Sequence, residues 1–107
     1  MIFPVPSKIE HFRALVISEP ENELFRFSLA QAMMAEGRNA DAEPHLEFCV
    51  ARKKDWMMPR IVLGKMLLAK GQLIDARSLL ESALRLAVAQ HHETPESELR
   101  ALLASMR

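Results

Sequence analysis

The sequence lacks the cysteines of a disulfide framework and an excess of charge of either sign. It contains one cysteine, no tyrosine and three glycines among 107 residues. A single cysteine excludes an internal disulfide framework. The 14 basic and 14 acidic residues cancel to a formal net charge of zero, so no overall field favours nucleic acid or an anionic membrane. The first residues lack the basic start and long apolar run of a signal peptide, and we therefore expect a cytoplasmic protein.

The residues that are present favour an all-α protein. Half of the chain is hydrophobic and 26% is charged, which is typical of an ordinary globular domain. The length suits one small domain with a modest core. No segment alternates apolar and polar residues for long, and the abundant Ala, Leu, Met and Glu favour helix over strand. We therefore expect helices throughout.

Capping residues and glycines predict about six helices. Ser7 is expected to cap the first, with Glu10 completing a capping box. Gly37 and Gly71 each suit a left-handed helix terminus and end the second and fourth helices. The other starts are assigned to polar caps and prolines: Asn39 for the third helix, Asp55 for the fourth, and Thr94 with Pro95 and Ser97 for the sixth. The predicted bounds are about 7–18, 21–36, 39–54, 55–71, 73–91 and 94–107.

Two segments of the chain align without a gap at an offset of 34 residues. Residues 28–49 read SLAQAMMAEGRNADAEPHLEFC, and residues 62–83 read VLGKMLLAKGQLIDARSLLESA. Six pairs of positions correspond: Leu29 with Leu63, Ala30 with Gly64, Gly37 with Gly71, Ala42 with Ala76, Leu46 with Leu80, and Cys49 with Ala83. This pattern resembles the tetratricopeptide repeat, whose 34-residue unit is a helical hairpin. Arg26 and Arg60 depart from it, because the family often has a large aromatic residue at these positions.

The resemblance implies one domain over 1–107, built from antiparallel helical hairpins stacked as a right-handed superhelix. It divides the chain into a half repeat at 7–22, repeats at 23–56 and 57–90, and a capping helix at 95–107. Gly64 would stand where the two helices of a hairpin approach closely, and Gly71 would permit the tight turn between them.

The resemblance also implies a function, because such arrays hold a peptide or a partner helix in the concave face lined by the first helix of each repeat. A spacing of 3, 4 and 3 residues identifies the side chains expected there: Leu24, Phe27, Gln31, Met34, Met58, Ile61, Lys65 and Leu68. We expect a non-catalytic protein-interaction module with an apolar groove. Only Lys65 is cationic, so a clamp for a terminal carboxylate is not favoured. Two alternatives stay open, since other helices of the chain could cover the groove or two copies could form a homodimer through it.

Other chemistries find little support in the sequence. Cys49 aligns with Ala83 at a packed position, which favours an inert buried thiol. His45 and Cys49 are four residues apart and could supply two metal ligands, fewer than the three or four that zinc sites use. No glycine-rich phosphate loop or nucleophile elbow is present. We expect no enzyme activity, no cofactor and no metal, and no nucleic-acid binding, because the groove is apolar and the net charge is zero.

Overall fold

A computed structural model describes residues 7–106 of the chain, and within this range all regular secondary structure is α-helical. The six helices are α1 (Lys8–Ser18), α2 (Glu23–Ala35), α3 (Asn39–Arg52), α4 (Met57–Ala69), α5 (Leu73–Ala89) and α6 (Glu93–Ser105). The prediction of an all-α fold is confirmed.

The chain divides into two compact units, of which the first ends at Lys53 and the second begins at Lys54. In the N-terminal unit, α1 packs against α2 and α2 packs against α3. In the C-terminal unit, α4 packs against α5 and α5 packs against α6. Each unit therefore contains one closely packed helical hairpin, α2–α3 or α4–α5, with one further helix packed against it.

The first two helices begin at side-chain caps. The Glu10 N–H donates to the Ser7 hydroxyl at 3.2 Å, and the Ser7 N–H donates to the Glu10 carboxylate at 3.4 Å, so the predicted capping box is confirmed. The second helix begins at Glu23, two residues later than predicted. The reason is that the Asn22 side chain accepts a hydrogen bond from the Phe25 N–H at 3.1 Å and caps the helix there.

Three of the predicted caps are wrong: Asn39, Asp55 and Thr94. Asn39 is already the first residue of α3, because the chain re-enters helical geometry directly after the turn at Gly37. Asp55 lies one residue before the N-cap position of α4, and its backbone carbonyl accepts a hydrogen bond from Gln90 Nε2 at 2.8 Å. Thr94 lies inside α6, which begins at Glu93.

Left-handed glycines end α2 and α4 as predicted. Gly37 has φ +76° and Gly71 has φ +79°, a region that a side chain disfavours. After α2, the Gly37 N–H donates to the Met34 carbonyl at 2.9 Å and the Arg38 N–H to the Met33 carbonyl at 2.8 Å. The same two bonds recur after α4, at 3.0 and 2.9 Å. Both turns are thus Schellman motifs, which satisfy the last carbonyls of each helix.

The fifth helix ends at Ala89, slightly before the predicted end near His91. His91 itself adopts a left-handed conformation with φ 58°. The His92 N–H donates to the Ala87 carbonyl at 2.9 Å, and the His91 N–H to the Val88 carbonyl at 3.2 Å. A third Schellman motif therefore separates α5 from α6, with histidine in the position that glycine fills elsewhere.

Small residues let the two helices of each hairpin approach closely. A Cβ atom added to Gly64 would lie 2.8 Å from Cγ of Leu80, which is fully buried on α5. In the N-terminal unit, Ala30 on α2 and Ala42 on α3 are also fully buried. These positions confirm the role that the 34-residue correspondence gives to its small residues.

Arg26 takes the place of the aromatic residue that the family often has on the first helix of a repeat. Its Nε donates to the Pro20 carbonyl at 2.8 Å. Its guanidinium lies over the ring of Phe48, 4.2 Å from the ring centroid, in cation–π geometry. One side chain on α2 thus links the preceding loop to α3.

Arg60, 34 residues later, makes the equivalent links in the C-terminal unit. Its Nη2 donates to the Lys54 carbonyl at 3.1 Å, and its Nη1 donates to the Ser82 hydroxyl at 3.0 Å. Lys54 and Ser82 stand 34 residues after Pro20 and Phe48, so the loop and helix partners correspond as well. The arginines are therefore a feature that both units share.

Candidate partner-binding surfaces

The expected binding residues of the N-terminal unit lie along α2 and differ widely in exposure. Leu24 is 61% exposed, Gln31 is also exposed and Met34 is half-buried. Phe27 is only 9% exposed and belongs to the buried core. A partner could therefore reach Leu24, Gln31 and Met34 directly, whereas Phe27 packs in the interior of its unit.

The expected residues of the C-terminal unit lie along α4 and are more accessible. Met58 is 43% exposed and Lys65 is exposed, while Ile61 and Leu68 are half-buried. Ile61 packs against a buried cluster formed by Met57, Leu80, Ala83, Ala87 and Leu99. This helix thus combines exposed apolar side chains with one free-standing cation.

A cleft between α4 and α6 lies beside the expected residues of the C-terminal unit. Its volume is about 320 Å³, and it is lined by Ile61, Lys65, Pro95, Glu98, Leu99 and Leu102. Four of the six side chains come from α6, a helix that was expected only to cap the array. Their spacing of 3, 1 and 3 residues is typical of one helix face and was the signal that could have revealed them.

A smaller cleft lies between α1 and α2 in the N-terminal unit. It has a volume of about 200 Å³ and is lined by Lys8, Phe12, Ser28, Gln31, Ala32 and Ala35. Gln31 is the only one of the expected binding residues on its wall. This cleft has fewer large apolar side chains than the cleft between α4 and α6.

The Cys49 thiol is buried and weakly reactive. The side chain is fully buried, and its Sγ–H donates to the Glu23 carbonyl at 3.4 Å. Burial raises the pKa of the Cys49 thiol to about 11, with a smaller contribution from the Glu23 carboxylate. Because the thiolate is the nucleophilic form, a thiol of this kind reacts slowly.

His45 lies in a basic environment on α3. The Arg26 guanidinium approaches its Nδ1 at 3.5 Å. Burial lowers the pKa of His45, and the positive charges of Arg26 and Arg13 lower it further.

Within residues 7–106, no three histidine, cysteine, aspartate or glutamate side chains are grouped to bind a metal ion. None of the helices in that range has both the length and the apolar character needed to cross a membrane.

Several known proteins are similar to this chain in sequence or in fold. No family model matches the chain. The chain is 28% identical over 98 residues to the TPR repeat-containing protein PA0015 of Pseudomonas aeruginosa, and the alignment covers 92% of this chain and 93% of that protein. It also superposes on the tetratricopeptide repeat (TPR) domain of P58(IPK) with a TM-score of 0.81 and 26% identity, covering 92% of this chain and 26% of the other. The chain therefore has a TPR-like helical-repeat fold.

Two further solved structures are similar in fold to this chain. The Yersinia enterocolitica type III secretion translocator chaperone SycD superposes with a TM-score of 0.85 at 19% identity, covering 92% of this chain and 68% of SycD. PcrH, solved in complex with the chaperone-binding region of PopD, superposes with a TM-score of 0.83 at 21% identity, covering 92% and 74% of the two chains. At these identities the similarity establishes the fold.

Proposed function

We propose that this chain, with its TPR-like fold, is a non-catalytic protein-interaction module that binds a peptide or a partner helix. The observation that carries the proposal is the fold it shares with PcrH, which was solved with a bound segment of PopD. SycD, solved with a peptide of the translocator YopD, adds support with a TM-score of 0.82 over 92% of this chain. We take the chain as one domain with a half repeat at 7–22, repeats at 23–56 and 57–90, and a capping helix at 95–107.

The binding residues in this proposal are those of the first helix of each repeat: Leu24, Phe27, Gln31, Met34, Met58, Ile61, Lys65 and Leu68. Leu24 and Met58 are the most exposed apolar members, at 61% and 43%. Covering such a side chain removes apolar surface from water, worth about 1.5–3 kcal/mol for full burial. Phe27 is buried and contributes indirectly, by packing α2 against the core of its unit.

The partner in this proposal is another protein, and the setting is the cytoplasm. The zero net charge gives the chain no general attraction to nucleic acid or to an anionic membrane surface. The binding helices supply apolar side chains and no constellation for acid–base or nucleophilic chemistry. Binding therefore needs neither a cofactor nor a metal ion.

The test selects peptides from a random display library on the purified protein and measures their affinity by calorimetry. Leu24→Glu and Met58→Glu place a charge at exposed positions of the proposed surface and are expected to weaken binding about 10-fold or more. The matched control is Ile74→Glu, because Ile74 is an apolar residue on α5 that is 86% exposed and lies outside the proposed surface. Its affinity should stay within about twofold of the wild type.

Two results would contradict the proposal. One is equal loss of affinity in the control and the surface variants. The other is a concentration-dependent dimer in sedimentation that Leu24→Glu or Met58→Glu converts into a folded monomer. That second result would assign the same side chains to a structural homo-oligomer.

A further inference from the structure

The cleft between α4 and α6 combines an apolar floor with one charge of each sign. Leu99 is 2% exposed and forms the floor together with the half-buried Ile61 and Leu102. Lys65 lines the cleft on the α4 side and Glu98 on the α6 side. All of these residues belong to the C-terminal unit, so the whole cleft lies within one compact unit.

The two charges are unpaired among the residues that the structure describes. Neither Lys65 nor Glu98 forms a hydrogen bond or an ion pair there, although both line the same cavity. On the same helix, the Arg100 Nε pairs with the Glu96 carboxylate at 3.1 Å, so α6 does form ion pairs where the geometry permits. The cleft is thus lined by a cation on α4 and a carboxylate on α6 that are not paired with each other.

Comparison within the chain shows that the lysine belongs to the C-terminal unit alone. The residue 34 positions before Lys65 is Gln31, which is neutral. The residue 34 positions before Ile61 is Phe27, which is buried in its own unit. The apolar floor with flanking charge is therefore a specific property of the α4–α6 cleft and does not come from the repeat pattern itself.

We infer that this cleft binds a dipolar segment of a partner protein: one apolar side chain flanked by a carboxylate on one side and a cation on the other. The inference rests on the proposed function and names the partner's chemistry at this site. The apolar side chain would enter between Ile61, Leu99 and Leu102, while the partner's carboxylate meets Lys65 and its cation meets Glu98. Exposed charge pairs contribute little affinity but select orientation and partner, so the effect is mainly on specificity.

Charge complementarity is the argument for a partner segment of this kind. A wholly apolar segment would leave Lys65 and Glu98 partly desolvated without a partner, which costs free energy. A segment with charges of one sign would place a like charge against one wall of the cleft. Only a segment with both signs satisfies both walls at once.

The test uses four short synthetic peptides that share a central leucine and differ in the two residues that flank it. The flanking residues are one Glu and one Lys, two Gln, two Glu, or two Lys. Binding to the isotope-labelled protein is followed by NMR, which also reports whether the amides of α4 and α6 shift. We expect the Glu and Lys peptide to bind about 2- to 5-fold more tightly than the neutral peptide. Lys65→Glu should shift the preference to the Lys and Lys peptide, and Glu98→Lys to the Glu and Glu peptide.

Matched controls separate the local charge from the net charge of the chain. Arg85→Glu on α5 changes the net charge by the same amount as Lys65→Glu, and Glu47→Lys on α3 does so for Glu98→Lys. Both control positions are exposed and lie outside the cleft. Neither control should change the order of the four affinities.

The outcomes distinguish this inference from the proposed function. If the neutral peptide binds at α4 and α6 as tightly as the peptide with one Glu and one Lys, the inferred preference for a dipolar segment is wrong. The proposal of a protein-interaction module is then unaffected. If none of the four peptides shifts these amides, while display-selected peptides still bind elsewhere, the cleft is not the site. If no peptide of either kind binds, both proposals fail. A dimer that Lys65→Glu dissociates would place a second copy in the cleft and would also overturn the inference.

Discussion

Gly64 offers the sharpest test of how the α4–α5 hairpin is packed, through the substitution Gly64→Ala. In an ordinary helix interior this change stabilises the protein by about 1 kcal/mol, because glycine is a poor helix former. At this site the added methyl group would lie 2.8 Å from both Cγ and Cδ2 of Leu80 and 3.5 Å from Cβ of Leu79. The gain in helix propensity and the steric cost of the added methyl group therefore have opposite effects on the free energy of unfolding.

The burial of Leu80 decides which effect is larger. Leu80 has no exposed surface, so it cannot swing into solvent to make room. Forcing an extra carbon into such a packed site costs about 1–3 kcal/mol. We expect the steric cost to exceed the gain in helix propensity, with a net loss of about 1 kcal/mol in the free energy of unfolding.

Urea unfolding measures the net effect on the free energy of unfolding. It is carried out on four proteins: the wild type, Gly64→Ala, Leu80→Ala and the double variant. Leu80→Ala alone should cost about 2–5 kcal/mol, so all four are compared in a stabilising osmolyte. In the Leu80→Ala background the methyl group has space, and Gly64→Ala should then be stabilising. A gain of about 1 kcal/mol from Gly64→Ala in the wild-type background would refute the close approach of α4 and α5.

Three further predictions follow from buried or partly buried polar groups. Because burial raises the pKa of the Cys49 thiol to about 11, its reaction with a disulfide reagent at neutral pH should be about 100-fold or more slower in the folded than in the unfolded protein, and fast labelling of the folded protein would contradict this. Because the pKa of His45 is lowered in the folded state, the unfolded chain binds the proton more readily. The free energy of unfolding should therefore fall as the pH drops below about 6.5. In urea unfolding at two pH values, His45→Leu should reduce this loss of stability. Arg60→Lys removes the fork that bonds the Lys54 carbonyl and the Ser82 hydroxyl and should lower the free energy of unfolding by about 1–2 kcal/mol, whereas an unchanged urea midpoint would show that these bonds contribute nothing.

The features of the fold that follow from residue size could be predicted from the sequence. Gly37 and Gly71 mark left-handed turns, because glycine adopts a positive φ without strain. Gly64 and its counterpart Ala30 mark the close helix contacts, because a small residue is needed there. The caps could not be predicted reliably, since the choice between Arg38 and Asn39 as N-cap depends on where the preceding Schellman motif ends.

The candidate site was harder to predict than the fold. A spacing of 3, 4 and 3 residues selects one face of a helix but does not say how deeply that face is buried. Hence Leu24, at 61% exposure, and Phe27, at 9%, could not be distinguished. The contribution of α6 to the cleft was missed because Leu99 and Leu102 come from a helix expected only to cover the end of the array. The bonds made by Arg26 and Arg60 also required three-dimensional contacts, since arginine departs from the family's aromatic pattern there.

An NMR titration of the isotope-labelled protein with a display-selected peptide tests the central claim most directly. We expect the amide signals that shift to belong to α2 and α4, around Leu24, Gln31, Met34, Met58 and Lys65, and the shifts to saturate at one peptide per chain. Shifts confined to the outer positions of α5, around Ile74 and Val88, would contradict the claim that this protein binds its partner through the first helix of each repeat.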